Sequence, residues 1–194
     1  MHRNLAALPR VAFWLVPHCR ERTVVQSLII ELAERFSAPV FVPHVTVYSC
    51  RRTPGQRELA VMAALADGCR PLATRLAGVA SSDRLTQALF VRLPDNPVIS
   101  GLSRALHSGV PLPSDYELVP HLSLLYQRLA PAARATLADE IDLCLPVIRF
   151  DALWAVAIPE QIRDLDDLRG GVRADRVDEY LGELDVGRGL GGER

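Results

Sequence analysis

The chain contains no lysine: all 22 of its basic residues are arginine. Genomic base composition is the simplest reading of that bias. It still excludes Schiff-base chemistry and a Walker-type phosphate loop, both of which need a lysine amine. Cysteine is sparse, with four in 194 residues. No pair of Cys19, Cys50, Cys69 and Cys144 has C-x-x-C spacing, so neither a zinc ribbon nor a thioredoxin-type motif is signalled. Free, mostly buried thiols in a reducing cytosol are expected. Excess charge is also missing. A net charge of −1 argues against a protein that grips a long nucleic-acid backbone, which needs a strongly basic face. Long apolar runs are absent too. The run from Val11 to Val16 is closed by Pro17, is too short to cross a bilayer and is followed by no small-residue cleavage site. A strand in a cytoplasmic protein without a membrane partner is the expected reading.

What is present is a 49% hydrophobic composition with 23% charged residues, enough to bury one sizeable core under a solvated surface. Val11–Val16 reads as a first strand. Apolar residues at Val24, Val25, Leu28, Ile29, Leu32 and Phe36 have helical spacing, so 21–36 is predicted helical and stopped at Ser37-Ala38-Pro39. A strand over 41–50 follows, with Pro43 suggesting an edge position. Thr53 as N-cap and Pro54 as first residue predict a second helix ending at Gly68. A strand over 71–79 completes the first half. The second half repeats the order. A strand covers 86–93, and a helix capped by Asp95-Asn96-Pro97 runs to about His107. A second strand covers 117–127, a helix runs from Pro131 to about Leu143, and a last strand covers 147–158. The order β-α-β-α-β occurs twice and predicts an internal duplication, with pseudo-repeats at about 10–80 and 85–158 in one bilobal domain over 1–163. Residues 164–194 read as a C-terminal extension, with a helix expected over 172–184 and a mobile tail over 187–194.

Histidine is scarce, five in the chain, yet two occupy matched frames. Val42-Pro43-His44-Val45-Thr46-Val47 returns as Val119-Pro120-His121-Leu122-Ser123-Leu124. On a strand, residues two apart share a face, so His44 projects with Thr46 and His121 with Ser123. An imidazole beside a hydroxyl, presented twice, suits a phosphate. The hydroxyls can donate to its oxygens, and one imidazole can act as general base while the other acts as general acid. No metal or other cofactor is called for. A lone His-x-Thr would read as a structural residue; the repeated frame carries the inference.

These paired motifs, in a duplicated α+β chain, resemble the 2H phosphoesterase superfamily, and most closely its cyclic phosphodiesterase branch. Phe41 to Val47, Pro120 to Tyr126, the Trp14-containing first strand and Gln87 to Phe90 carry the likeness, which spans about residues 10–158. The resemblance implies a bilobal fold with two antiparallel sheets facing a cleft and helices outside. It implies hydrolysis of a nucleoside 2′,3′-cyclic phosphate, or of ADP-ribose 1″,2″-cyclic phosphate, to a monoester. His44 and His121 are then the catalytic pair, with Thr46 and Ser123 as phosphate ligands. Tyr126 matches the family's aromatic residue that helps to place the attacking water. Strand parity points Tyr126 away from His121, so a bulge or strand end is needed for that role. Proximity to Tyr126 favours His121 as base and His44 as acid. Leu165 to Gly171 departs from the family's Trp-containing C-terminal segment, which leaves one wall of the pocket unassigned.

Trp14 is a candidate for stacking on a nucleobase, with core packing the alternative. Arg51, Arg52 and Arg128 follow the motif strands, where they either draw anions or are solvated loop charges. His18 lies past a strand end, and His107 at a helix C-terminus suits a dipole or capping role. A monomer acting on a small cyclic-phosphate nucleotide is expected. Alternatives are an enzyme acting on 2′,3′-cyclic RNA ends or as a 2′-5′ RNA ligase, with a short RNA end as partner, and a nucleotide-binding module without catalysis.

Overall fold

The computed structural model describes residues 10–171 and 176–180, which form an α+β fold of two antiparallel sheets and five helices. The first sheet is ordered β2 (Val45–Arg51), β1 (Arg10–Pro17), β7 (Val147–Ile158), β3 (Leu72–Arg75). The long strand β7 pairs with β1 along one edge. On its other edge it pairs first with β3, then with β8 (Arg176–Tyr180). The second sheet is β4 (Val79–Ser81), β5 (Leu89–Arg92), β6 (His121–Leu125). Thus β7, from the second half of the chain, completes the sheet of the first half.

Helix α1 (Cys19–Phe36) buries Val25, Ile29, Leu32 and Ala33, the spacing of one helical stripe. Ser37, in the left-handed conformation, ends it, and the Ala38 amide bonds to the Ala33 carbonyl at 2.9 Å. Helix α3 (Pro97–Gly109) is capped by the Asn96 side chain, which accepts from the Val98 and Ile99 amides. With α2 (Arg57–Asp67), these helices and both sheets share one apolar core. Phe13, Leu15, Val45 and Val47 of the first sheet join Leu89, Val91, Leu122 and Leu124 of the second. Helix α4 (Pro131–Glu140) adds Leu137 to it. Among the described residues no helix is long and apolar enough to cross a membrane.

Several local expectations change. Helix α2 starts at Arg57 rather than Pro54, because Gly55 (φ 85°) and Gln56 (φ 54°) adopt consecutive left-handed conformations that no α-helix accommodates. Gln56 rather than Thr53 takes the N-cap position, and the Thr53 hydroxyl instead accepts from the Arg57 amide at 3.2 Å and donates to the fully buried Glu58 carboxylate. The strand expected over 71–79 is two strands in different sheets, divided where Gly78 turns at φ 82°. Residues 85–87 form a 3₁₀ turn before β5. The motif strands begin later than expected, at Val45 and His121, since a proline amide cannot join a ladder. The helix expected over 172–184 contains a strand instead, Arg176–Tyr180. The edge of β7 beyond β3 offers unpaired backbone groups, and such pairing overrides local propensity. The tail expected over 187–194 lies outside the described residues. Only Cys50 of the four free thiols is buried.

Candidate active site

A cleft of about 360 Å³ opens between the sheets, and all six predicted site residues line it. Trp14 comes from β1, His44 from the residue before β2, Thr46 from β2, His121 and Ser123 from β6, and Tyr126 from just past the end of β6. The motif strands carry matching irregularities. Between β1 and β2, Phe13 faces Tyr48 and Trp14 faces Thr46, which leaves Val47 unpaired. Between β5 and β6, Leu89 faces Leu125 and Phe90 faces Ser123, which leaves Leu124 unpaired. Each bulge falls three residues after the histidine. It resets the alternation, so the residue five after each histidine, Ser49 or Tyr126, returns to the cleft. The bulge and strand end that Tyr126 required are both present.

The two imidazoles are tied in the same way. Nδ1 of His44 donates to the Val42 carbonyl at 2.6 Å, and Nδ1 of His121 to the Val119 carbonyl at 2.7 Å. A carbonyl only accepts, so Nδ1 carries the hydrogen and Nε2 of each ring is left to exchange a proton. The intervening prolines hold the Val carbonyls in reach by fixing the backbone angle between them. Burial depresses both pKa values. His44 falls from 6.5 to about 4, with burial the main cause, the Val42 bond opposing it and His121 adding repulsion. His121 falls by burial and by the nearby Arg84 charge, against its Val119 bond.

Around them the surroundings differ. Trp14 is 6% exposed and stacks on His44, ring centroids 3.6 Å apart at 12°. One indole face is therefore spent on the imidazole, and the other candidate role, core packing, also holds: Trp14 packs with Val16, Trp154 and Val156. Phe41 stacks on Tyr126 at 3.7 Å and meets His44 edge-on. The Tyr126 phenol is pushed up by burial, with a Ser123 hydrogen bond pulling it back. The Ser123 hydroxyl donates to the Thr86 carbonyl at 2.9 Å. Thr46 Oγ1 has no such bond among the described residues. Tyr116, from the loop before β6, donates to the Thr46 carbonyl at 3.0 Å and roofs the cleft.

The wall left unassigned by the sequence is aliphatic, built from Ile158, Pro159, Ile162 and Leu168 of α5 (Leu165–Gly171). Leu168 packs on Leu85 and Tyr126. Sequence reasoning missed these residues, together with Phe41, Thr86, Tyr116 and Arg10. Only Ser49 had a signal, its match to Tyr126 in the repeated frame. The other arginines and histidines lie elsewhere. Arg51 pairs with Glu160 at 3.7 Å and Arg128 is exposed. His18 caps α1 and contacts Glu21 at 3.3 Å, while His107 meets the Tyr48 hydroxyl at 3.1 Å. Among the described residues no three His, Cys, Asp or Glu side chains gather closely enough to hold a metal.

Two sheets about a cleft, each carrying a histidine–hydroxyl unit, define a member of the 2H phosphoesterase superfamily. Within it, the chain belongs to the cyclic phosphodiesterase-like protein family, whose sequence profile matches residues 10–150. The fold is that of Escherichia coli LigT, at 17% identity over 90% of this chain and 95% of that one, with a TM-score of 0.56 for the apo form. For E. coli LigT complexed with 3′-AMP the values are 14%, 90%, 96% and 0.54. Usb1 of Kluyveromyces marxianus matches at 11% identity over 89% and 98% of the chains, with a TM-score of 0.50. No curated protein matches the chain at the level of sequence.

Proposed function

We propose that the protein hydrolyses a small nucleotide 2′,3′-cyclic phosphate, or ADP-ribose 1″,2″-cyclic phosphate, to a phosphomonoester without a metal. The observation that carries this reading is the pair of identically tied imidazoles, each beside a hydroxyl, lining one cleft. A water oxygen bonds to phosphorus as the bond to one ribose oxygen breaks. One imidazole takes the water proton and the other gives a proton to the departing oxygen. Thr46 donates to a phosphoryl oxygen, and Ser123 joins it only if its hydroxyl turns from the Thr86 carbonyl. Burial favours a division of labour opposite to that expected from the position of Tyr126. His44 is the more strongly desolvated, so the first proton taken up goes to His121. His121 is then the acid and His44 the base. Trp14 is a positioning residue that holds the His44 ring. LigT binds 3′-AMP in one of its structures, a monoester of the kind this reaction would release.

The test is turnover of 2′,3′-cyclic AMP, of ADP-ribose 1″,2″-cyclic phosphate and of a cyclic-ended oligonucleotide, in EDTA, with products resolved as 2′- or 3′-phosphates. Turnover of the small substrates in EDTA is expected. His44→Ala and His121→Ala should each lower kcat by about 10²–10⁴-fold in folded protein. Full activity in either variant would sink the assignment.

A further inference from the structure

Arg10 is the only residue lining the cleft, among those described, that carries a fixed charge. It shares the cleft face of β1 with Ala12 and Trp14, two and four residues on. Its Nε and Nη2 donate to the Ser49 hydroxyl, and Nη2 to the Ser49 carbonyl, all at 3.3 Å. These contacts are long and come from one neighbour, whereas a guanidinium has five N–H donors. Among the described residues no carboxylate lies within ion-pair distance of it. A half-buried cation with no counter-charge among the described residues, in a concave site, favours an anion.

We infer that Arg10 and Ser49 form a second anion subsite, which takes a phosphate one ribose ring away from the cyclic phosphate; this rests on the function proposed above. Thr46, the nearer phosphate ligand, and Ser49 are three residues apart on β2, roughly 10 Å along a strand. The arginine side chain bridges part of that span. The wall between is aliphatic: Ile158 is the register partner of Arg10, and Pro159 and Ile162 follow it. Such a wall covers a sugar without competing for charge. The substrate class is therefore a cyclic phosphate whose ribose also bears a 5′-phosphate or pyrophosphate. A small molecule suits the site better than an RNA strand, because neither Arg51 nor Arg128 lines the cleft with Arg10.

Titration calorimetry with 3′-AMP and with adenosine 3′,5′-bisphosphate tests the subsite without relying on turnover. The wild-type chain should bind the bisphosphate about tenfold more tightly, the scale of one charge-assisted contact. Arg10→Ala should bring the two dissociation constants together, and Arg10→Lys should keep part of the preference. In parallel, the ratio of kcat/KM between 5′-phosphorylated and unphosphorylated 2′,3′-cyclic AMP should fall toward one in Arg10→Ala. Equal binding of both ligands by the wild-type chain, or a preference that survives Arg10→Ala, overturns the subsite. Absence of turnover on every cyclic phosphate, with the binding preference intact, overturns the hydrolytic reading alone. A cyclic-ended oligonucleotide preferred over both small substrates would replace the small-molecule class with an RNA end.

Discussion

At the two imidazoles, burial and a backbone carbonyl pull in opposite directions, and burial wins. The consequence for stability has a definite sign. Below pH 6.5 the unfolded chain protonates a histidine that the folded chain keeps neutral until about pH 4. The unfolded state then binds more protons, so stability falls as pH drops through that window and is fully present above it. The loss from His44 is on the order of 3 kcal/mol, and His44→Gln should remove most of it. Urea midpoints of the two proteins between pH 4 and pH 7 measure this; parallel curves would count against burial of the ring. Under the proposed mechanism the same depressions set the pH dependence of turnover. A base that works above pH 4 and an acid that works below its own depressed pKa place the maximum of kcat/KM on the acidic side of neutrality. A bound phosphate anion raises both values, so the kcat profile should peak at higher pH than kcat/KM. Trp14 belongs to the same balance. Trp14→Leu admits water to the ring, and the His44 titration, followed by NMR, should move up toward 6.5. A midpoint still near 4 would show that the stack does not shield the ring.

Among the elements, β2 and β6 do the same job with different neighbours. Both bulge three residues past the histidine, yet Ser123 commits its proton to the Thr86 carbonyl while Thr46 keeps its hydroxyl for the cleft. Thr46→Ala should therefore cost about 10²-fold in kcat, the scale of one lost oxyanion donor, and Ser123→Ala distinctly less. The opposite order would mean that substrate breaks the bond to Thr86. How far the sequence carries depends on whether information is local. The histidine frames, the helices with apolar stripes and the cap at Asn96 were legible because each is written within a few neighbouring residues. Strand alternation brought Thr46 and Ser123 to the histidines. The bulges were legible only as a requirement imposed by Tyr126. The rest was not legible because it depends on distant backbone. The start of α2 depends on two left-handed residues, β8 depends on an open edge of β7, and Arg10 and Ile162 reach the cleft only once β1 and β7 are paired. The depressed pKa of His44 was not legible for the same reason, since it follows from burial of a ring whose stacking partner, Trp14, lies thirty residues away in the chain.

At the scale of the molecule, the two halves are interlocked. Strand β7 follows the second motif in sequence but pairs with β1 over eight registered positions. Residues from both sheets, Phe13 and Leu15 on one side and Leu122 and Leu124 on the other, sit fully buried in one core. The loop before β6 is also strapped to β2, through Ser114 on the Ser49 carbonyl and Tyr116 on the Thr46 carbonyl. Neither sheet can therefore lose its packing without exposing the other, and a single cooperative transition is expected. The chain carries its own reporter, because its two tryptophans, Trp14 and Trp154, face each other across β1 and β7 in the first sheet. Leu122 lies in the second sheet and is fully buried. Leu122→Ala should cost about 2–5 kcal/mol and should lower the tryptophan-monitored urea midpoint as much as the midpoint seen by far-ultraviolet circular dichroism. If the tryptophan signal holds its wild-type midpoint while the dichroism signal splits, the sheets unfold separately. The cleft would then be a contact between two independent lobes rather than a feature of one core. With one core, His44 and His121 are held at a fixed separation by the same packing that folds the chain, and substitutions far behind the cleft should lower stability without altering the pH dependence of turnover.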